Sequence, residues 1–126
     1  MGEQRDLRTK VSPPPFPFLQ SYRVEVIIRC SDRITTVVQL GARRITLGRD
    51  SENQIVLDDE RVSRFHAELE LGPTGYRLRD ASTNGTLVNG ELITAVDLAP
   101  GDMITVGTHH LEYVVKKHDT TPQRVS

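Results

Sequence analysis

Apolar and polar side chains alternate with a period of two along most of this chain, which constrains its fold more than any other feature. Val24, Val26 and Ile28 are separated by single residues, and Tyr76 and Leu78 alternate with arginines in the same way. Because neighbouring side chains of a β-strand point to opposite faces, this alternation predicts strands with one buried face. The predicted strands are 24–28, 34–40, 44–47, 54–57, 65–71, 76–79, 86–88, 91–93, 103–106 and 111–115.

Turn signals separate these runs, and no window shows the period of 3.6 residues that an amphipathic helix requires. Asn89-Gly90 is the dipeptide best suited to a two-residue hairpin turn, because both residues tolerate positive φ angles. Glycine or proline also interrupts the pattern at Gly72-Pro73, Pro100-Gly101 and Gly107. About eleven short, mostly antiparallel strands in about 95 residues predict an all-β chain folded as a β-sandwich.

Both ends of the chain lack the alternation. Residues 1–20 mix charges without a period and contain the run Ser12-Pro13-Pro14-Pro15, which favours extended polyproline II backbone. We therefore predict a disordered proline-rich arm or linker over residues 1–20, a folded domain over 21–117 and a flexible tail over 118–126. At 126 residues, the chain can bury a core without disulfide or metal support.

Composition makes several functional classes unlikely candidates. Cys30 is the only cysteine, so no disulfide can form within the chain, and a cytoplasmic (intracellular) location is expected. The formal net charge of −1 argues against direct binding of nucleic acid or of a membrane surface. Lysine occurs only at positions 10, 116 and 117, so most of the positive charge is guanidinium, which binds phosphate in a planar, bidentate manner.

Three short polar clusters lie between the predicted strands, namely Gly48-Arg49, Ser63-Arg64-Phe65-His66 and Thr83-Asn84-Gly85. A sandwich can bring loops from different strands to one of its ends, so the three clusters could meet there. Together they supply two guanidinium groups, two hydroxyls and an amide, which suit the capture of a phosphate on a peptide. This chemistry predicts binding and not catalysis.

Each cluster taken singly has a plainer interpretation. Gly48 allows a backbone bend that a Cβ atom would obstruct, so Arg49 projects from a loop, where it could simply be solvated or paired with Asp50 or Glu52. The cluster around Asn84 is typical of an Asx turn. Only the conjunction of all three clusters, in this order and with strand-length spacers, predicts a site.

The second cluster leads into a predicted strand in which Phe65 and Ala67 face the core and His66 faces the opposite side. In that position His66 could hydrogen-bond the backbone of the loop that carries Ser63 and Arg64, and so hold its shape. No metal is expected, because no second ligand of suitable spacing lies near His66.

The order Gly-Arg, then Ser-x-x-His, then Asn-Gly resembles the forkhead-associated (FHA) domain, and the resemblance covers about residues 22–117. It implies an FHA-type β-sandwich of about eleven strands whose loops at one end bind phosphothreonine peptides. Carried over to this sequence, it implies that Arg49 and Ser63 contact the phosphate and that Arg64 and Thr83 add donors around it. Asn84 would hold the main chain of the ligand beside the phosphothreonine.

The same resemblance implies structural roles for Gly48, His66 and Gly85, which would support the loops. It also assigns Arg61 a role in selecting the third residue after the phosphothreonine, where an arginine favours an acidic side chain. The expected function is therefore phosphothreonine-dependent binding of a protein or peptide in Ser/Thr kinase signalling, without cofactor, metal or enzymatic activity.

Other interpretations stay open at this point. The sandwich could dock a partner without phosphate, as a scaffold or as the regulatory domain of a larger protein, through the proline-rich arm or through a charged face that carries Arg77 and Glu70. A threonine of the ends, such as Thr9, Thr120 or Thr121, could be phosphorylated and occupy the pocket. A hydrolase is disfavoured because strand alternation separates Ser63 from His66 and no Gly-x-Ser-x-Gly motif occurs.

Overall fold

The structure is a computed structural model that describes residues 17–31 and 33–118. The first sixteen residues of the predicted arm, the tail after residue 118 and the threonines at positions 9, 120 and 121 lie outside the described residues. Within the described residues, a short helix, α1 (Pro17–Ser21), precedes the strands. The strands are β1 (Tyr22–Cys30), β2 (Arg33–Leu40), β3 (Arg44–Gly48), β4 (Ile55–Val56), β5 (Ala67–Gly72), β6 (Gly75–Asp80), β7 (Thr86–Val88), β8 (Glu91–Ile93), β9 (Ala95–Asp97), β10 (Met103–Val106) and β11 (His109–Lys117).

The strands form two sheets. One sheet has six strands in the order β2-β1-β11-β10-β7-β8, and the other has five in the order β4-β3-β5-β6-β9. Every described pairing is antiparallel except that of β3 with β4. The prediction of an all-β sandwich of about eleven mostly antiparallel strands is confirmed.

Alternating side chains from both sheets form one apolar core. Val24 and Val26 of β1 are fully buried, as are Leu47 of β3, Leu69 of β5 and Leu78 of β6. Full burial of an aliphatic side chain of this size stabilises the fold by about 2 kcal/mol. The core therefore holds the two sheets together and fixes the positions of the loops that leave them.

The pairing of β1 with β11 shows at which end of the sandwich the described chain enters and leaves. Tyr22 is opposite Lys117 at one end of the pair, and Cys30 is opposite His109 at the other end. Both ends of the described domain therefore leave from the same side. The β10–β11 turn, residues 107–108, lies at the opposite side, which is also where the polar clusters meet.

Two elements differ from the sequence prediction. The predicted arm ended at residue 20, but Pro17–Ser21 is helical, and Phe18 and Leu19 pack against the core, with the Phe18 ring 4.8 Å from that of Tyr22. Five residues are too few to show a helical period. Strand β9 was not predicted for the same reason, since three residues show no clear alternation. No helix among residues 17–31 and 33–118 is long and apolar enough to cross a membrane.

The predicted orientation of Phe65 and His66 is wrong. His66 is fully buried, whereas Phe65 is 49% exposed. Strand β5 begins only at Ala67, so residues 63–66 form part of a loop. Their side-chain orientations are set by loop contacts and not by the alternation of a strand. From Ala67 onwards the prediction is correct, because Ala67 and Leu69 are both buried.

Candidate functional site

Three loops meet at one end of the sandwich. They are the β3–β4 loop (residues 49–54), the β4–β5 loop (residues 57–66) and the β6–β7 loop (residues 81–85). Each loop carries one of the polar clusters. An open cleft of about 320 Å³ lies between them and is lined by Arg49, Glu60, Arg61, Val62, Ser63, Arg64, Thr83 and Asn84.

Gly48 lets the first two loops touch. The backbone N–H groups of Arg49 and Asp50 donate to the carbonyls of Ser63 and Arg64 at 3.0 and 3.1 Å. A Cβ atom at Gly48 would lie 2.2 Å from the Arg64 carbonyl oxygen. Glycine is therefore required by close approach of the two backbones. It does not adopt a positive φ angle, so the bend suggested by the sequence is not the reason.

Asn53 fastens the same two loops from inside the protein. Its Nδ2 group donates to the carbonyls of Asp50 and Arg64 at 2.8 and 2.7 Å, and the side chain is almost fully buried. Asn53 was not predicted as a site residue, because nothing in the local sequence pattern separates it from an ordinary turn asparagine. Its partner Arg64 is eleven residues away, and only the fold brings them together.

Arg49 is exposed at the cleft with most of its guanidinium uncommitted. Its Nε group donates to the Val62 carbonyl at 3.0 Å, and no carboxylate of the described residues pairs with it. Asp50 instead faces Arg64 at 3.6 Å and accepts the N–H of Glu52 at 2.9 Å. The alternative that Asp50 or Glu52 neutralises Arg49 is therefore wrong. The terminal nitrogens of the Arg49 guanidinium can donate hydrogen bonds to a ligand.

Ser63 lies between Arg49 and the third loop. Its Oγ atom accepts the backbone N–H of Thr83 at 3.0 Å. A hydroxyl that accepts from one side still has its own proton to donate. The hydroxyl of Ser63 is thus oriented by the third loop and can donate into the cleft, whereas Thr83 itself is exposed there.

Asn84 reaches across from the third loop to the second. Its Nδ2 group donates to the Arg61 carbonyl at 3.1 Å, and the residue is exposed. The amide oxygen is then available to accept an N–H from a bound main chain. Arg61 is also exposed, so its side chain can contact a ligand that lies beside Asn84.

His66 joins the second and third loops from below the cleft. Its Nδ1 atom accepts the N–H of Ser63 at 3.0 Å, and its Nε2 atom lies 3.0 Å from the Gly85 carbonyl. Because Nδ1 accepts a hydrogen bond, the ring proton sits on Nε2 and is donated to Gly85. Both ring nitrogens are engaged with backbone, and neither contacts the Ser63 hydroxyl.

Asp80 stabilises the third loop, a role that was not predicted from the sequence. Its carboxylate accepts the Ser82 N–H at 3.1 Å, the Ser82 hydroxyl at 2.6 Å and the Thr86 hydroxyl at 2.7 Å. Burial alone would raise the pKa of Asp80, but these hydrogen bonds bring it below its ordinary value. The spacing Asp-x-Ser before a glycine is typical of such a turn, so this signal was present in the sequence.

Asp59, which belongs to the second loop, was not predicted as a site residue either. Its carboxylate accepts the Arg61 N–H at 2.9 Å, and also the N–H and the hydroxyl of Thr108 at 2.8 and 2.6 Å. The hydrogen bond from the Thr108 hydroxyl is the largest of the causes that hold the pKa of Asp59 well below its usual range. No sequence pattern links two residues that are 49 positions apart.

Comparison with known proteins agrees with this arrangement. A family model described as the FHA domain matches residues 45–107. The ABC transporter ATP-binding/permease protein Rv1747 of Mycobacterium tuberculosis is 42% identical over 82 residues, which cover 64% of this chain and 9% of the transporter. The glycogen accumulation regulator GarA of the same species is 40% identical over 68 residues, covering 53% of this chain and 42% of the regulator.

The chain thus spans less than half the length of these two relatives. Among solved structures, one from a structural and functional analysis of phosphothreonine-dependent FHA domain interactions superposes with a TM-score of 0.63. It is 33% identical, and the match covers 75% of this chain and 97% of that one. Because the family model matches half of its residues and the solved structure has the same sandwich fold, the chain belongs to the forkhead-associated domain family.

Proposed function

We propose that the cleft binds phosphothreonine within a peptide or protein segment, and that the chain is a recognition module of Ser/Thr kinase signalling. One observation carries this proposal. The guanidinium of Arg49 has no carboxylate partner among the described residues, and it shares one cleft with the Ser63 hydroxyl and the Asn84 amide. A phosphothreonine brings about −1.5 to −2 charges and strong acceptor oxygens, which match these donors.

Each side chain has a distinct part in this binding. The terminal nitrogens of Arg49 and the hydroxyl of Ser63 contact the phosphate, because both are held at the cleft by backbone hydrogen bonds and still have protons to donate. Arg64 and Thr83 add donors at the rim. The free amide oxygen of Asn84 accepts an N–H of the ligand main chain.

Arg61 selects among ligands instead of holding the phosphate. Its side chain is exposed at the cleft, and its carbonyl accepts a hydrogen bond from the Asn84 amide. The family resemblance implies that Arg61 selects the third residue after the phosphothreonine, where an arginine favours an acidic side chain. Gly48, His66 and Gly85 act through the loops that they join.

The proposed activity is binding without catalysis. A serine hydrolase needs a base at the serine hydroxyl, but the ring nitrogens of His66 contact the Ser63 N–H and the Gly85 carbonyl. Within the described residues, no group of three or more histidine, cysteine or acidic side chains could hold a metal ion. A cytoplasmic location is proposed because the free Cys30 suits a reducing compartment.

Phosphate-independent docking finds less support. The charged face that includes Glu70, Arg77 and Arg79 is largely paired within itself, since Arg77 donates to Asp97 at 2.9 Å and Arg79 lies 3.6 Å from Glu70. Such a face has little unbalanced charge with which to attract a partner. One relative is named a regulator and another a transporter, so the role proposed for this chain is confined to the module that they share.

A peptide titration tests the proposal. A degenerate library with a fixed phosphothreonine would give the best-binding sequence, and calorimetry would compare that peptide with its unphosphorylated twin. We expect the phosphorylated form to bind at least about 100-fold more tightly, because the unphosphorylated threonine lacks the charged acceptor oxygens that the Arg49 guanidinium would contact. Equal affinities would reject the proposal.

Matched arginine variants assign the anchor. Arg49→Ala should lose phosphopeptide binding, whereas Arg77→Ala should retain it, because Arg77 pairs with Asp97 away from the cleft. Both side chains are exposed, so both variants should fold. Normal binding by Arg49→Ala would show that another residue anchors the ligand.

A further inference from the structure

The β4–β5 loop is fastened to the other sheet through one carboxylate. Asp59 contacts Arg61 within its own loop and Thr108 in the β10–β11 turn, with three hydrogen bonds of 2.6–2.9 Å. Strand β4, which precedes Asp59, belongs to the five-stranded sheet, whereas β10 and β11 belong to the six-stranded sheet. Asp59 therefore connects the two layers of the sandwich, and it directly precedes the cleft-lining residues Glu60 and Arg61.

The turn that meets Asp59 is packed too closely for a side chain. Gly107 has a φ angle of +61°, and a Cβ atom there would lie 2.6 Å from Oδ2 of Asp59 and 2.9 Å from Cγ2 of Val62. Val62 is itself 1% exposed. The turn and the loop thus share one tight contact, so a displacement of Asp59 would move Val62 as well.

The turn that follows Asp59 presents two consecutive backbone carbonyls, those of Arg61 and Val62, to side chains of the cleft. The Val62 N–H donates to the Asp59 carbonyl at 2.9 Å, which closes the turn over residues 59–62. The Arg61 carbonyl then accepts from Asn84, and the Val62 carbonyl accepts from Nε of Arg49. The ligand-binding side chains of two other loops are therefore oriented by carbonyls of the turn that Asp59 holds.

We propose that Asp59, with Thr108 as its partner, is a positioning residue for phosphothreonine binding. This inference rests on the proposed function of the cleft. Asp59 contacts no ligand. It fixes the turn over residues 59–62, and the carbonyls of that turn orient Arg49 and Asn84 before the ligand binds. Less conformational entropy is therefore lost on binding.

Threonine variants separate this role from general stability. Thr108→Val removes the hydroxyl that donates to Asp59 but keeps the shape of the side chain, whereas Thr108→Ser keeps the hydroxyl. We expect Thr108→Val to bind the phosphothreonine peptide from the library about tenfold more weakly, which is the effect of losing about one hydrogen bond. Thr108→Ser should bind within about twofold of the wild type.

Two further readouts complete the test. Amide hydrogen exchange at Arg61, Val62 and Ser63 should become faster in Thr108→Val under conditions in which the core strands remain protected. Asp59→Asn should also show faster exchange at these three amides. Asp97→Asn is the control and should not, because Asp97 is an exposed carboxylate that pairs with Arg77. These variants are compared with wild type at a temperature at which thermal unfolding shows all of them to be folded.

The outcomes are distinct. Wild-type affinity in both Asp59→Asn and Thr108→Val, with the fold retained, would overturn the positioning role. So would a loss of affinity that matches the unfolded fraction of each variant. If the wild type itself does not distinguish the phosphorylated peptide from its twin, the proposed function fails first, and the inference fails with it.

Discussion

The backbone N–H of Ser63 donates to Nδ1 of His66 at 3.0 Å, so a buried imidazole fixes the residue that carries a cleft hydroxyl. The other ring nitrogen contacts the Gly85 carbonyl, next to Asn84. One side chain thus sets the separation of the second and third loops. The geometry of the cleft is consequently coupled to the stability of the core.

His66→Ala should lower both stability and ligand affinity. The substitution leaves a cavity, an unpaired Ser63 N–H and an unpaired Gly85 carbonyl, so the free energy of unfolding should fall by about 2–4 kcal/mol. Urea denaturation measures this loss. Phe65→Ala is the matched control, because Phe65 is the adjacent ring and is 49% exposed, and its loss should be about 1 kcal/mol or less. Equal losses in the two variants would contradict the role of His66.

Arg49→Lys should weaken phosphopeptide binding by about tenfold or more, although the positive charge is kept. Lysine has no group equivalent to the Nε that donates to Val62, and it cannot contact two phosphate oxygens with a planar fork. Calorimetric titration of wild type, Arg49→Lys and Arg49→Ala with one phosphothreonine peptide would rank the three. A lysine variant that binds like wild type would show that charge alone suffices.

Gly48→Ala should destabilise the protein by about 2 kcal/mol or more, because the new methyl group would meet the Arg64 carbonyl backbone and cannot be relieved by a rotamer change. Gly41→Ala provides the control, since nothing lies within 4 Å of a Cβ atom at that position. Its stability should stay within about 0.5 kcal/mol of the wild type. Thermal or urea unfolding of both variants checks the prediction, which fails if they behave alike.

Asp80 should make stability depend on pH in the acid range. Its pKa in the folded protein is lowered, so its ionised form contributes stability above the ordinary carboxyl pKa of about 3.9, and this contribution is lost as pH falls through the folded value. Asp80→Asn should therefore be less stable than wild type near neutral pH, and the difference should shrink as the pH falls below the ordinary carboxyl pKa. Urea midpoints measured across this range give the comparison. A difference that stays constant with pH would exclude this contribution.

The strands were predictable because their information is local. Val24 and Val26 alternate with polar neighbours, and this alone places them in the core. The orientations of Phe65 and His66 were predicted wrongly because the alternation of strand β5 does not extend to them. Phe65 and His66 belong to a loop whose shape is set by contacts with Gly85 and Leu47, and no neighbour in sequence reports those contacts.

The supporting contacts of the cleft were not predictable in the same way. Asn53 and Asp59 each bind partners that come from another loop or another sheet, so their roles depend on the register of the whole sandwich. The short polar motifs indicated which side chains meet a ligand. Apart from His66, which was predicted to hydrogen-bond the backbone of its loop, they gave no indication of which buried polar side chains hold those motifs in place.

The antiparallel pairing of Tyr22 with Lys117 decides how this module can be attached to anything else. Strand β11 is nine residues long, so its eight steps of about 3.3 Å place the exit points about 26 Å from the end of the strand that adjoins the β10–β11 turn. A surface tether or an affinity tag attached directly at the start of β1 or at the end of β11 therefore begins on the side away from that rim. Immobilised sensors and tandem constructions can use both attachment points without blocking ligand entry.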